Sequence, residues 1–246
     1  MSTFILLILS AVTNQSGDLD RLDQRATQAD GFLRRTSNGA GRTIYIVDCG
    51  VAPTADTNSR VTVGFTASGV GSSRPPHGTA MASIAAGLAR GPAFGASIVD
   101  VKVCDASALY YDKVFEGLDW LTGQPPGIVN LSLEFRYPNG DSRIAGFSTR
   151  IATLRSLGFV VIAAAGNDGL LIDDGSQTTM PAGATDAITV AALQFAPDLR
   201  KADSNYGPQV DYFSPANLTY IDSDGLPYSH ASTSGAAALS GGTSFG

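Results

Sequence analysis

Four short apolar runs constrain the fold more than any other feature of the chain: Thr43–Val47, Ser97–Val103, Ile128–Leu133 and Phe159–Ala165. Thr43-Ile-Tyr-Ile-Val47 is rich in β-branched residues, the pattern of a strand buried on both faces. Segments with helical spacing lie between the runs. His77–Gly87 is rich in small residues and reads as a helix packed tightly on a sheet. Tyr111–Leu121 stops before Gly123-Gln-Pro-Pro-Gly127. Asp141–Gly158 is amphipathic, with Ile144, Phe147, Ile151, Leu154 and Leu157 along one face and Gly158 as its stop. Val61–Phe65, Ala187–Ala191 and Val210–Phe213 read as shorter strands. Strand and helix in alternation predict an α/β protein with a right-handed parallel sheet covered on both faces.

The chain has 246 residues, enough to bury a substantial core. Apolar residues make up 43% and charged ones 15%, a balance that excludes a disordered chain. A net charge of −6 leaves no electrostatic footprint for nucleic acid. Phe4–Leu9 is too short to span a bilayer and lacks the basic flank and cleavage site of a signal peptide. Residues 1–17 therefore stay open as a strand, a signal remnant or the tail of a pro-segment. Residues 10–42 read as a surface segment. Two cysteines, Cys49 and Cys104, are too few for a disulfide scaffold. Both end apolar runs, which makes buried free thiols the default and leaves one bridge open.

Four residue types in this setting permit serine chemistry. Hydrolysis by serine needs a hydroxyl, a base for its proton, a group that fixes the base and donors aimed at the developing oxyanion. Asp48 ends one strand, on the edge where α/β folds place ligands. His77 opens a helix, and Asn167 follows the strand ending at Ala165. Ser244 lies in the small-residue stretch Gly241-Gly242-Thr243-Ser244-Phe245-Gly246. His230, the second histidine, lies among Ser and Ala and reads as a solvated loop residue. Asp222-Ser-Asp-Gly225 lacks the downstream ligands of a calcium loop. No phosphate-cradling glycine motif follows a strand, which removes a nucleotide-binding reading.

The chain resembles the subtilisin family of serine proteases, on its proteinase K side. The resemblance rests on Ile44-Tyr-Ile-Val-Asp-Cys-Gly50, His77-Gly-Thr79, Val101-Lys-Val103, Val129-Asn-Leu-Ser-Leu133, Ala163-Ala-Ala-Gly-Asn-Asp168, Ser204-Asn-Tyr-Gly207 and Gly242-Thr-Ser244. Leu19-Asp-Arg-Leu-Asp-Gln-Arg25 is similar to the opening of the mature family domain. The resemblance implies a three-layer fold over residues 18–246, a mostly parallel sheet and an endopeptidase working through an acyl-enzyme. It implies Asp48 as the group orienting the base, His77 as the base, Ser244 as nucleophile and Asn167 as oxyanion donor. Ala106, Ser107, Ala108 and Leu109 would flank an extended peptide or protein substrate, with Ser132, Leu133 and Glu134 on its other side. Ala164, Ala165 and Gly166 would line the pocket for the residue before the cleaved bond. No cofactor is required. A structural Ca²⁺ would map onto Asp211 with the carbonyls of Thr185 and Ala187, a surface Asp being the alternative. Secretion is implied too, with no membrane partner.

Several positions depart from the family pattern. Ala80 stands where a second histidine is usual, Cys49 where Thr is common, and Phe245-Gly246 where Met-Ala follows the nucleophile. Glu134-Phe135 replaces two glycines, which puts bulk and charge beside a substrate. With Ser244 as nucleophile, the buried helix that it should open lies beyond the chain. The domain then reads as C-terminally incomplete, its helix absent or supplied by a second chain. A catalytically inactive or split module that binds peptide or a partner protein is the alternative function.

Overall fold

The chain is described by a computed structural model over residues 37–106, 108–194 and 199–244. The expectations for residues 1–36, including the N-terminal segment and the Leu19–Arg25 match, lie outside it, as do Ser107 and Phe245-Gly246.

The predicted strands form one sheet. Its members are β1 (Thr43–Asp48), β2 (Val61–Thr66), β3 (Ser97–Lys102), β4 (Ile128–Leu131), β6 (Val160–Ala164), β8 (Ile188–Gln194) and β10 (Tyr212–Pro215). They lie in the order β10-β8-β6-β4-β1-β3-β2, and all these neighbours are parallel. The two-residue β9 (Leu199–Arg200) adds antiparallel to β8. Two antiparallel pairs stand apart: β5 (Phe135–Pro138) with β7 (Gln177–Met180), and the hairpin of β11 (Asn217–Ile221) with β12 (Pro227–Ala231).

Side chains alternate across the sheet with the period of two that a pleated strand imposes. Tyr45 and Val47 join Val129, Leu131 and Val161 on one face. There α2 (Tyr111–Leu121) supplies Val114, Leu118 and Leu121, and α3 (Ser142–Ser156) supplies Phe147, Ile151 and Leu154. Ile44 and Ile46 point to the other face, which is covered by α1 (Pro76–Ala86) and α4 (Thr233–Thr243). Asp141 caps α3 by accepting the Arg143 N–H at 2.9 Å. Leu157, expected on the buried face of α3, follows the helix end and stays 45% exposed.

The expectation of a helix beyond the chain is corrected here. Residues 233–242 of α4 are all buried, against α1 on one side and β4, β6, β8 and β10 on the other. Small residues allow this close approach. A Cβ on Gly242 would lie 2.3 Å from the Ala85 carbonyl oxygen. The place between α1 and the sheet is thus filled by residues that precede Ser244.

Cys49 and Cys104 form a disulfide, not two free thiols. It joins the segments leaving β1 and β3. Between them the buried Lys102 ammonium donates to the carbonyls of Cys49 (2.8 Å), Ser73 (2.6 Å) and Cys104 (2.6 Å).

Candidate active site

Strand order reverses at β1, because the chain leaves it toward β2 and leaves β4 toward β6. The crevice beyond the C-terminal ends of β1 and β4 is therefore where an α/β sheet of this kind presents a ligand site. Asp48 is the last residue of β1 and is buried. Its Oδ1 accepts the Cys49 N–H at 2.7 Å. His77 is the second residue of α1, delivered by Pro75 in extended conformation and Pro76 in the first turn, where a proline costs no hydrogen bond.

The imidazole Nδ1 of His77 lies 2.8 Å from Asp48 Oδ2 and 3.0 Å from Oδ1. The Asp48 charge raises the His77 pKa above its ordinary 6.5, against a lowering by burial and with help from the hydrogen bond. With Nδ1 held on the carboxylate, Nε2 is the nitrogen left for a substrate-side partner. The next residue must be glycine. A Cβ on Gly78 would lie 2.5 Å from the Gly50 carbonyl oxygen and 3.1 Å from Asp48 Oδ1.

Asn167 leaves β6 through Gly166, whose φ of +104° lies in the left-handed region. Its Oδ1 accepts from the Thr233 N–H (2.9 Å) and hydroxyl (3.0 Å) at the start of α4. The side chain is therefore locked by its oxygen, and the Nδ2 amide is the end it offers to the crevice. Ser234 follows Thr233 in the first turn of α4, where backbone N–H groups have no partner within the helix. The Ser132 hydroxyl donates to the Ser234 carbonyl at 3.1 Å, and the Ser234 hydroxyl faces the Ser132 carbonyl at 3.5 Å.

His230 completes the neighbourhood. It is no solvated loop residue: it lies on β12, 5.6 Å from the His77 ring, centroid to centroid, with Nε2 2.6 Å from the Ser232 hydroxyl. Burial, then the His77 charge, pushes its pKa down to about 4. A Cβ on Gly235 would lie 3.0 Å from His230 Cδ2, so glycine after Ser234 makes room for this ring. His230 thus spans from His77 to the residue beside Ser234.

Ser244 is elsewhere. It caps the far end of α4, its hydroxyl donating to the Ser240 carbonyl at 2.8 Å. It lines a depression with Gly41, Thr43, Gly127, Ile128 and Val160. These residues begin β1, β4 and β6, whereas Asp48 and Asn167 lie at or beyond strand C-termini. An 11-residue helix is about 16 Å long, so the two ends of α4 serve opposite edges of the sheet. Ser244, expected as nucleophile, is thus not brought to Asp48, His77 and Asn167. The serine at the Asn167 end of α4 is Ser234, which the sequence reading passed over; Gly-Ala-Ala-Ala-Leu-Ser-Gly-Gly follows it, the small-residue run that a buried helix needs.

The remaining expected site residues divide. Gly166 and Glu134 meet beside Asn167, the Glu134 carboxylate accepting the Asn167 N–H at 2.9 Å, while Leu133 packs against the hydrophobic core. Ala164 and Ala165 are buried, the Ala165 N–H donating to the Val190 carbonyl. The buried Ser132 hydroxyl is used within the protein, also accepting from Asn130 Nδ2 at 2.8 Å. Ala106 donates its N–H to the Ser73 hydroxyl at 3.4 Å, and Leu109 bridges to Cys104. Ala108 lines a shallow depression with Ser68, Val103 and Tyr110. Asp211 accepts the Thr189 N–H at 2.7 Å through Oδ2. Among the described residues, no group of three or more His, Cys, Asp or Glu side chains is arranged to hold a metal. The turn at Asp222–Gly225 serves the β11–β12 hairpin, Gly225 donating its N–H to the Asp222 carbonyl.

Comparison with known proteins gives a consistent result. The sequence profile described as Peptidase_S8, subtilase family, matches residues 39–245. An extracellular serine proteinase of Thermus sp. (strain Rt41A) is 33% identical over 204 residues, covering 80% of this chain and 47% of that protein. Subtilisin-like protease 3 of Pseudogymnoascus destructans is 33% identical over 211 residues, covering 80% and 50%. The chain spans about half the length of these curated relatives. Among solved structures, a cold adapted subtilisin-like serine proteinase superposes with a TM-score of 0.81 at 27% identity, over 92% of this chain and 82% of that one.

Proposed function

The chain belongs to the subtilase family, and on that premise we propose that it is a serine endopeptidase whose nucleophile is Ser234. The observation that carries the proposal is the meeting of three elements at one sheet edge. Asp48 from β1 holds His77 on α1, and Asn167 holds the N-terminus of α4 at Thr233, one residue before Ser234.

In this mechanism Ser234 Oγ attacks the scissile carbonyl carbon and gives its proton to His77 Nε2. Asp48 fixes the imidazole tautomer and stabilises the imidazolium. The carbonyl oxygen becomes an oxyanion, met by Asn167 Nδ2 and the Ser234 N–H at the positive end of α4. Collapse breaks the C–N bond while His77 protonates the leaving amine. Water, deprotonated by His77, then releases the acyl group from Ser234. Losing one such oxyanion donor costs about a hundred- to a thousand-fold in turnover, a magnitude known from subtilisin itself.

The alternative, a module that binds peptide without cleaving it, rests on a missing helix and on Glu134-Phe135; α4 bears on the first of these, being packed between α1 and the sheet. Hydrolysis of a denatured protein substrate tests the choice. The wild-type chain is expected to cleave it, with Ser234→Ala falling by several orders of magnitude and Ser244→Ala keeping full activity. Equal turnover by wild type and Ser234→Ala contradicts the assignment.

Two finer expectations belong to the same reading. Calcium at Asp211 with the carbonyls of Thr185 and Ala187 suits a hard, oxygen-seeking cation, which the carboxylate oxygen left by Thr189 would meet. Millimolar Ca²⁺ should then raise the melting temperature of the wild type and not of Asp211→Ala; identical shifts in both would remove the site. Action outside the cell is supported by the Cys49–Cys104 bridge, since disulfides persist in oxidising compartments.

A further inference from the structure

Glu134 lies on the segment leaving β4 (Ile128–Leu131) and reaches the segment leaving β6 (Val160–Ala164). Its Oε2 accepts the Asn167 N–H at 2.9 Å, and a Cβ on Gly166 would lie 2.7 Å from the same oxygen. The carboxylate is thus seated against the backbone of Gly166-Asn167, on the residue whose side chain offers the oxyanion donor. A charge there is costly in two ways. It is half-buried, and burial first, then the charge of and hydrogen bond with Asp168, push its pKa up to about 7 against the lowering by the Asn167 N–H. It would also oppose the negative charge that develops on a reacting carbonyl.

Arg136 is the cation that acts on Glu134, and it is committed elsewhere. Its guanidinium donates to Asp174 (2.6 Å), Gln177 (2.8 Å), Thr179 (2.9 Å) and the Leu171 carbonyl (3.0 Å). No hydrogen bond from it reaches Glu134 among the described residues. A partly desolvated carboxylate without a bonded cation is stabilised most by a cation that arrives with the ligand.

We propose that Glu134 is a specificity-determining residue that selects peptides with an Arg or Lys side chain on the acyl side of the cleaved bond, the cation docking on the Glu134 carboxylate. This rests on the endopeptidase reading for which bond is cut, but not for the binding preference. Arg matches the site better than Lys, because its planar fork can bind a carboxylate through two parallel hydrogen bonds.

The test uses two peptides differing only in Arg against citrulline, its uncharged near-isostere, and the full chain carrying Ser234→Ala so that nothing is cleaved. Calorimetry is expected to give at least tenfold tighter binding of the arginine peptide. Glu134→Gln on the same background should bring the ratio to about one, with Glu134→Asp between them. Equal affinities, or a preference that survives Glu134→Gln, overturn the proposal. The cleavage sites of the active chain in a peptide mixture separate the two readings. Cleavage after uncharged residues, unchanged in Glu134→Gln, sinks the role of Glu134 and leaves the endopeptidase. A Glu134-dependent arginine preference in binding, with no cleavage, leaves Glu134 in place and removes the endopeptidase. A urea unfolding curve for each variant establishes that the loss is not one of folding.

Discussion

At the residue scale, the Asp48–His77 pair sets the pH response. Its charge raises the His77 pKa, while the base must be neutral to accept a proton from serine. The kcat/KM profile is therefore expected to rise with pH through an inflection above 6.5. Asp48→Asn should lower that inflection and reduce turnover by about 10⁴-fold, as loss of the orienting carboxylate does in a serine triad. An unchanged inflection in the variant would show that Asp48 does not act on His77. Stability moves the other way. A raised His pKa contributes stability that is fully present below pH 6.5 and is lost as pH rises through the folded-state value.

Glu134 gives a second pH signature. Its folded pKa of about 7 lies above its ordinary 4.5, so ionisation destabilises the folded chain as pH rises through that window. Glu134→Gln is expected to be more stable than wild type at pH 8 and equal to it at pH 4, read from urea midpoints. A difference that persists at pH 4 would assign the effect to packing. Gly78 packs against backbone beside the Asp48–His77 pair, and Gly78→Ala is expected to cost about 1–3 kcal/mol by overpacking against Gly50 and Asp48. Wild-type stability in that variant would mean the contact relaxes freely. At this scale Asp48, His77 and Asn167 were legible in the sequence because each ends or opens a strongly patterned element. Ser234, the proposed nucleophile, was not, because Gly242-Thr243-Ser244 carries the family resemblance and drew the assignment to Ser244. Only packing shows which serine opens the buried helix.

At the element scale, α4 shows why periodicity failed there. Ten of its residues are buried on all sides, so no apolar stripe marks it, and its Gly and Ala content reads as a tail. The sheet strands, by contrast, were legible because burial on both faces leaves continuous β-branched runs. Strands β5 and β7 are short, and their pairing joins segments separated in the chain by α3 and β6, so neither marks itself in the local sequence. The disulfide also belongs to this scale. It closes a loop of 55 residues, and on chain-entropy grounds that constraint is worth about 4 kcal/mol. Replacing both cysteines by serine is expected to lower unfolding free energy by an amount of this order. A loss below about 1 kcal/mol would show that Lys102 and its three carbonyls hold the β1 and β3 termini without the bridge.

At the scale of the whole molecule, one parallel sheet collects residues 48, 77, 132, 167 and 234 at a single edge, although they are spread over most of the chain. Two helices on each face give the sheet its rigidity, and the crevice at β1 and β4 follows from the reversal of strand order. The same topology separates Ser234 from Ser244 by the length of α4. A serine-directed fluorophosphonate, followed by mass-spectrometric mapping of the adduct, reads that separation directly. Labelling of the folded chain is expected on Ser234, abolished in Ser234→Ala and retained in Ser244→Ala. An adduct on Ser244, or a folded chain that is never labelled at Ser234, would contradict the account.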